Sequence, residues 1–129
     1  MKRLLALLLA ALALPAYAET PQRIVSVGGA ITETVYALDQ GHRLVGADTT
    51  SYYPAAAASL PKVGYLRALS VEGVLSLEPD LLILSEEAGP PAVVVQLEAS
   101  GLNIKTLPAA HGPADVIANI RRLGEWLDC

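Results

Sequence analysis

The stretch Asp80-Leu81-Leu82-Ile83-Leu84 decides how the rest of the chain is interpreted. Four large apolar residues follow one aspartate without interruption, so a strand formed here would have two apolar faces. Such strands are typical of parallel sheets that carry helices on both faces. The segment therefore predicts a fully buried strand in a parallel sheet.

Other segments repeat the plan of a strand followed by a helix. Ile24 to Val27 and Leu44 to Ala47 precede this strand as short apolar runs, and Asn103 to Leu107 follows it. Ile31 and Val35 lie at helical spacing after the first run. This alternation predicts an α/β fold, a Rossmann-like lobe with a short parallel sheet flanked by helices. Ligands of such sheets bind beyond the carboxyl ends of the strands.

Helix starts are marked by capping residues and prolines. Ser70 can cap a helix that begins at Val71, and the pairs Gly89-Pro90 and Gly112-Pro113 each open a later helix. Proline suits a first helical position because its missing N–H would be unpaired there in any case. Residues 48–69 show no period and are predicted to be irregular.

The first residues are predicted to be a secretory signal peptide, residues 1–18. Lys2 and Arg3 form a basic head, and the apolar run from Leu4 to Leu14 is too short for the ~20 residues that span a bilayer. The small residues of Ala16-Tyr17-Ala18 predict cleavage after Ala18 and export to the periplasm.

Charge and cysteine content exclude several classes of protein. The chain has 9 basic and 13 acidic residues and no basic cluster, which is unsuited to binding nucleic acid or anionic membranes. Its single cysteine, Cys129, rules out an internal disulfide. Val27-Gly28-Gly29-Ala30 is not a dinucleotide-binding turn, Asp48 does not complete one, and hydrolase and nucleotide-binding motifs are absent. The chain is therefore predicted not to be an enzyme.

A Gly-Tyr-x-Arg sequence spans Gly64 to Arg67, on the predicted ligand edge. In an extended loop, side chains two residues apart point the same way, which would place Arg67 beside Tyr65. Tyrosine is one of the axial ligands of haem iron, and a neighbouring cation favours the charged phenolate. From the spacing alone, a surface tyrosine and a solvent-exposed arginine remain the alternative.

Five sequence motifs occur in a characteristic order along the chain. They are Arg23-Ile-Val-Ser-Val-Gly-Gly-Ala-Ile-Thr-Glu, Leu44-Val-Gly-Ala-Asp-Thr-Thr-Ser with Tyr53-Pro54, Lys62-Val-Gly-Tyr-Leu-Arg-Ala-Leu-Ser, Leu77-Glu-Pro-Asp-Leu and Ser85-Glu-Glu-Ala-Gly-Pro-Pro. Together, these motifs resemble the periplasmic haem-binding proteins of ABC haem importers, a class whose two lobes are joined by a long helix. The resemblance runs from about Arg23 to the last residue. Its Gly-Tyr-x-Arg and Gly-Pro-Pro loops are more specific to haem binders than its strand and helix motifs are.

The resemblance implies a binding site for hemin, that is, ferric haem b carried as the transported ligand. Tyr65 would be the axial ligand of the iron, and Arg67 would be the hydrogen-bonding partner of its phenolate. Ser85, Gly89 and Pro90 would line the cleft. The basis for these roles is the resemblance to the family, since the spacing of the residues alone does not assign them.

The resemblance also implies a role in transport. The protein would capture hemin in the periplasm and deliver it to the permease and ATPase complex of the inner membrane. Glu72 would meet an arginine of the permease, although an acidic residue in a first helical turn also stabilises the helix dipole. Residues 19–112 would form the N-terminal ligand-binding lobe and residues 113–129 the start of the inter-lobe helix, with the second lobe absent from this sequence.

Two alternatives stay open. Some phrases of the resemblance are shared with cobalamin-binding and ferric-siderophore-binding proteins of the same class. A truncated secreted lobe that acts only as an interaction module would also fit the sequence. The first differs from the haem interpretation in its ligand, and the second in having no ligand.

Overall fold

The computed structural model describes Pro15 and residues 19–129. Apart from Pro15, the predicted signal peptide therefore lies outside the described residues. The elements in chain order are β1 (Ile24–Val27), α1 (Gly29–Ala37), β2 (Leu44–Ala47), α2 (Ala55–Ala58), β3 (Gly64–Tyr65), β4 (Ala68–Leu69), α3 (Val71–Ser76), β5 (Leu81–Ser85), α4 (Pro91–Ala99), β6 (Ile104–Leu107) and α5 (Pro113–Leu127).

The predicted parallel sheet is confirmed. Four strands are ordered β2-β1-β5-β6, and every neighbouring pair is parallel. β1 and β5 occupy the two central positions, although more than fifty residues separate them in sequence. Because all four strands run the same way, the loops that follow them emerge at one edge.

β5 is buried on both faces, as its apolar sequence predicts. Leu81 and Ile83 pack into a cluster with residues of α1 and α5, whereas Leu82 and Leu84 pack into a cluster with residues of α3 and α4. All four side chains are essentially inaccessible to solvent. The sheet is thus the middle layer of three, and burying its apolar side chains stabilises the lobe at about 25 cal/mol per Å² removed from water.

Several boundaries differ from the predictions. The region of residues 48–69 is not wholly irregular, because it contains α2 and an antiparallel hairpin of β3 and β4. α4 begins at Pro91 with Pro90 as its cap, one residue later than predicted, and β6 begins at Ile104. β5 begins at Leu81, and the Asp80 carboxylate before it accepts the backbone N–H groups of Gln22 and Arg23.

Ser70 caps α3 as predicted. Its hydroxyl oxygen accepts a hydrogen bond from the backbone N–H of Gly73 at 2.9 Å. This bond satisfies one of the donors that a helix start leaves unpaired. Glu72 lies in the same first turn.

α5 is anchored mainly through its second half. Leu123 and Leu127 are buried in the core, whereas Val116, Ile117 and Ile120 remain about half exposed. The sequence pattern alone does not distinguish these two groups. Within the part of the chain that the structure describes, no helix is long and apolar enough to cross a membrane.

A buried arginine joins the ends of three segments. The Arg43 guanidinium donates to the carbonyl oxygen of Leu127 at 2.7 Å, to the side chain of Gln40 at 2.9 Å, and to the carbonyl oxygen of Pro21. Leu127 is the last residue of α5, so its carbonyl has no partner within the helix. Arg43 supplies that partner and fixes the helix end to the segment before β1.

Candidate functional site

The candidate site lies where the carboxyl ends of the strands meet. Four loops emerge there, after β1, β2, β5 and β6, and the hairpin of β3 and β4 lies beside them. The backbone N–H of Thr49, in the loop after β2, donates to the carbonyl oxygen of Gly64 in the hairpin at 2.9 Å. This edge is the place where ligands bind in sheets of this class.

A buried carboxylate beneath this edge holds two of the loops together. The Oδ1 atom of Asp48 accepts hydrogen bonds from the backbone N–H of Gly28 and from the hydroxyl of Ser51, both at 2.9 Å. Its Oδ2 atom accepts from the N–H of Thr50 at 3.1 Å and from the Thr50 hydroxyl at 2.7 Å. Asp48 is fully buried, and these four bonds supply what a buried carboxylate requires.

The hydrogen-bond network continues from Asp48 into the core and the start of α1. The Ser51 hydroxyl lies 2.6 Å from the Thr32 hydroxyl, which in turn lies 2.7 Å from the hydroxyl of Ser26. The Thr50 hydroxyl also accepts the backbone N–H of Gly29 at 3.1 Å. No buried polar side-chain atom in residues 19–129 lacks a hydrogen-bond partner. The floor of the site is therefore fixed before any ligand binds.

From the sequence, Asp48 was weighed only as part of a dinucleotide-binding turn. Its role in joining the loops after β1 and β2 was not predicted. The motif Asp48-Thr-Thr-Ser directly after a strand could have indicated a hydrogen-bonded turn, because Asp, Ser and Thr side chains commonly bond to nearby backbone in turns. Its partner loop, after β1, could not be identified without the fold.

A cleft of about 390 Å³ lies on this floor. Gly28, Ser85, Leu66, Glu87 and Pro108 are among the residues around it, and most of its wall is made of small or apolar side chains. Gly28 has a φ of +123°, and a Cβ there would lie 3.3 Å from the Cβ of Ser85. The backbone conformation therefore favours glycine here, and the close approach of the two loops leaves little room for a side chain.

The structure places Tyr65 on the hairpin that borders the cleft. Its side chain is 47% exposed, and Leu66, the next residue, reaches the cleft wall. Gly64 has a φ of +102°, and a Cβ there would lie 2.6 Å from the carbonyl oxygen of Ala68. The glycine of the Gly-Tyr-x-Arg phrase is therefore needed to form the hairpin, and the tyrosine is presented on it.

Arg67 pairs with Glu87 and not with Tyr65. Leu66 and Arg67 form the turn of the hairpin, so the extended geometry that the sequence interpretation assumed is absent. The Nη2 atom of Arg67 lies 3.8 Å from Oε1 of Glu87, and both side chains are more than half exposed. Across the described residues 19–129, no hydrogen bond joins the side chains of Arg67 and Tyr65.

Gly89 and Pro90 contribute to the site by positioning the backbone around it. The N–H of Gly89 donates to the carbonyl oxygen of Leu66, and its own carbonyl accepts from the N–H of Leu69, both at 3.0 Å. These bonds tie the hairpin to the loop after β5. Pro90 then caps α4. Of the three residues predicted to line the cleft, only Ser85 lies on its wall.

Glu72 and the potential metal ligands lie apart from one another. Glu72 is exposed in the first turn of α3 and forms no ion pair within the described residues. Among residues 19–129, no three His, Cys, Asp or Glu side chains come close enough to hold a metal ion together.

The family model described as "Periplasmic binding protein" matches residues 24–129. The chain belongs to the periplasmic binding protein family. It is similar to the crystal structure of a periplasmic haem-binding protein from Pseudomonas aeruginosa, with 50% identity and a TM-score of 0.81, covering 84% of this chain and 39% of that one.

The curated relatives include a vitamin B12-binding protein. An ABC transporter substrate-binding lipoprotein from Bacillus subtilis (strain 168) is 34% identical, covering 81% of this chain and 34% of that protein. A vitamin B12-binding protein from Pectobacterium carotovorum (strain PC1) is 31% identical, covering 82% and 38%. The chain thus spans little more than a third of the length of the curated relatives it matches.

These relatives are substrate-binding transport proteins and not enzymes, which confirms the prediction that the chain is not an enzyme. The family also confirms the predicted fold class, with a parallel sheet flanked by helices. Haem and vitamin B12 are both represented among the similar proteins, so family membership by itself does not specify the ligand.

Proposed function

We propose that this chain is the N-terminal ligand-binding lobe of a periplasmic protein that captures hemin for an ABC importer. The observation that carries this proposal is the position of Tyr65, which a glycine-dependent hairpin presents beside a cleft lined mainly by small and apolar residues. Tyrosine is an established axial ligand of haem iron. The cleft walls offer apolar side chains against which a flat tetrapyrrole could pack, and their polar side chains are those of Ser85, Glu87 and Asn119.

The similarity to known proteins supports haem over the other ligands. Identity to the Pseudomonas haem-binding protein is 50%, against 30–36% to curated vitamin B12-binding proteins. Cobalamin and ferric siderophores remain the second candidates, because the family includes a vitamin B12 binder at that level of identity. Cobalamin already carries ligands on its cobalt, and a siderophore supplies its own oxygen ligands, so neither needs a tyrosine of the protein.

A ligand titration tests the proposal. We expect ferric hemin to give a high-spin, five-coordinate, tyrosinate-type absorption spectrum with the purified mature chain. Cyanocobalamin and a ferric hydroxamate siderophore, each tested by tryptophan fluorescence and by competition against hemin, should bind at least tenfold more weakly. Displacement of hemin by either compound at equal concentration would contradict the haem assignment. Binding of none of the three would favour the interaction module.

The transport role extends the same proposal. Glu72 lies exposed at the start of α3, where its carboxylate is available to a basic surface of a permease. One exposed ion pair contributes only about 0–1 kcal/mol, so this residue would orient a complex and would not hold it alone. Export to the periplasm and delivery to a permease and ATPase complex complete the proposed function.

A further inference from the structure

Glu87 occupies a distinctive place at the candidate site, on the cleft wall and beside Arg67 at once. Its carboxylate oxygen lies 3.8 Å from the Arg67 guanidinium nitrogen. Glu86, the preceding residue, carries the same charge but lies outside the cleft wall and forms no ion pair within the described residues. Two adjacent carboxylates thus have different surroundings.

The backbone holds Glu87 in this position. Its N–H donates to the hydroxyl of Ser85 at 3.2 Å, and the N–H of Glu86 donates to the carbonyl oxygen of Leu107 at 3.0 Å. The bonds between Gly89 and the hairpin fix the other end of the segment. Arg67 and Glu87 are therefore kept close by two anchored segments, although both side chains reach into solvent.

We propose that Glu87 competes with the ligand for Arg67 and thereby lowers the affinity of the site for anionic ligands. This inference rests on the proposed function. Hemin carries two propionates, and its binding through tyrosinate would add another negative group near Arg67. The Arg67 guanidinium, which could neutralise them, is already paired with the Glu87 carboxylate, so an anionic ligand must displace this pairing before it can use the charge of Arg67. Glu87 is thus a specificity-determining residue that reduces how tightly the site holds an anionic ligand such as hemin.

The test compares Glu87→Gln with Glu86→Gln, which removes the same charge one residue away. Glu87→Gln should tighten hemin binding roughly two- to fivefold, the range that an exposed ion pair allows. Glu86→Gln should change the affinity by less than about 1.5-fold, because Glu86 does not pair with Arg67 and its exposed charge is screened by solvent. The gain from Glu87→Gln should shrink in 1 M salt and should disappear when Arg67 is already glutamine.

The outcomes of this experiment separate the role of Glu87 from the binding of hemin itself. Equal gains from both variants would overturn the role of Glu87, since net charge alone would explain them. Weaker hemin binding by Glu87→Gln, or a gain that persists in the Arg67→Gln background, would overturn it as well. If the unmodified chain does not bind hemin at all, the proposed function fails and takes this inference with it. Circular dichroism of each variant establishes that the lobe is folded.

Discussion

Replacement of Tyr65 by phenylalanine is expected to abolish the tyrosinate-type spectrum of the hemin complex and to weaken hemin binding by more than about 100-fold. Changes that only reorient a metal ligand typically cost 10–100-fold in affinity, and this change removes the ligand atom itself. The fold should be unaffected, because the side chain is about half exposed and forms no hydrogen bond within the described residues. Absorption spectroscopy and equilibrium titration measure both effects.

Tyr52 provides the matched control for this experiment. It lies in the loop after β2 at the same edge of the sheet and is 74% exposed. Tyr52→Phe removes an identical hydroxyl from a neighbouring position and should leave the tyrosinate spectrum unchanged. If Tyr65→Phe retained that spectrum, or if only Tyr52→Phe lost it, the assignment of the axial ligand to Tyr65 would be wrong.

The second large effect is expected at Asp48. Asp48→Ala should lower the free energy of unfolding by about 3 kcal/mol, because it leaves the buried N–H of Gly28 and the hydroxyl of Ser51 without their acceptor. That loss is a large part of the roughly 5–15 kcal/mol available to a domain. Urea denaturation followed by circular dichroism measures it.

Asp80→Ala is the control for Asp48. Its carboxylate also accepts two backbone N–H groups, but at the exposed segment before β1, where water can replace the lost acceptor. We therefore expect a clearly smaller loss of stability. Equal losses in the two variants would show that burial of the Asp48 network adds nothing to its hydrogen bonds.

Much of the fold could be predicted because its signals are local. The apolar run of β5 indicated burial on both faces, and Ser70 marked the start of α3 through a bond that spans three residues. The hairpin of β3 and β4 was missed because it leaves no local signal of this kind. Strands of two residues, such as β3 and β4, are too short to show an alternating pattern.

The site was less predictable because its contacts join distant segments. The position of Tyr65 at the ligand edge was predicted because its segment continues the loop after the second strand. The partner of Arg67 was not, since Glu87 lies on the loop after another strand and meets Arg67 only once the hairpin has formed. The link between Asp48 and Gly28 likewise depends on β1 and β2 being neighbours in the sheet.

The uneven anchoring of α5 has a consequence for local unfolding. Leu123, Leu127 and the bond from Arg43 hold its second half, while Val116 and Ile117, nearer the cleft, are half exposed. Segments with few buried contacts open at a lower free energy than the core does. Amide hydrogens near the start of α5 should therefore exchange with deuterium sooner than those beside Leu123. The helix would thus yield first at its start, which follows the loop that borders the cleft, while its other end remains part of the rigid lobe.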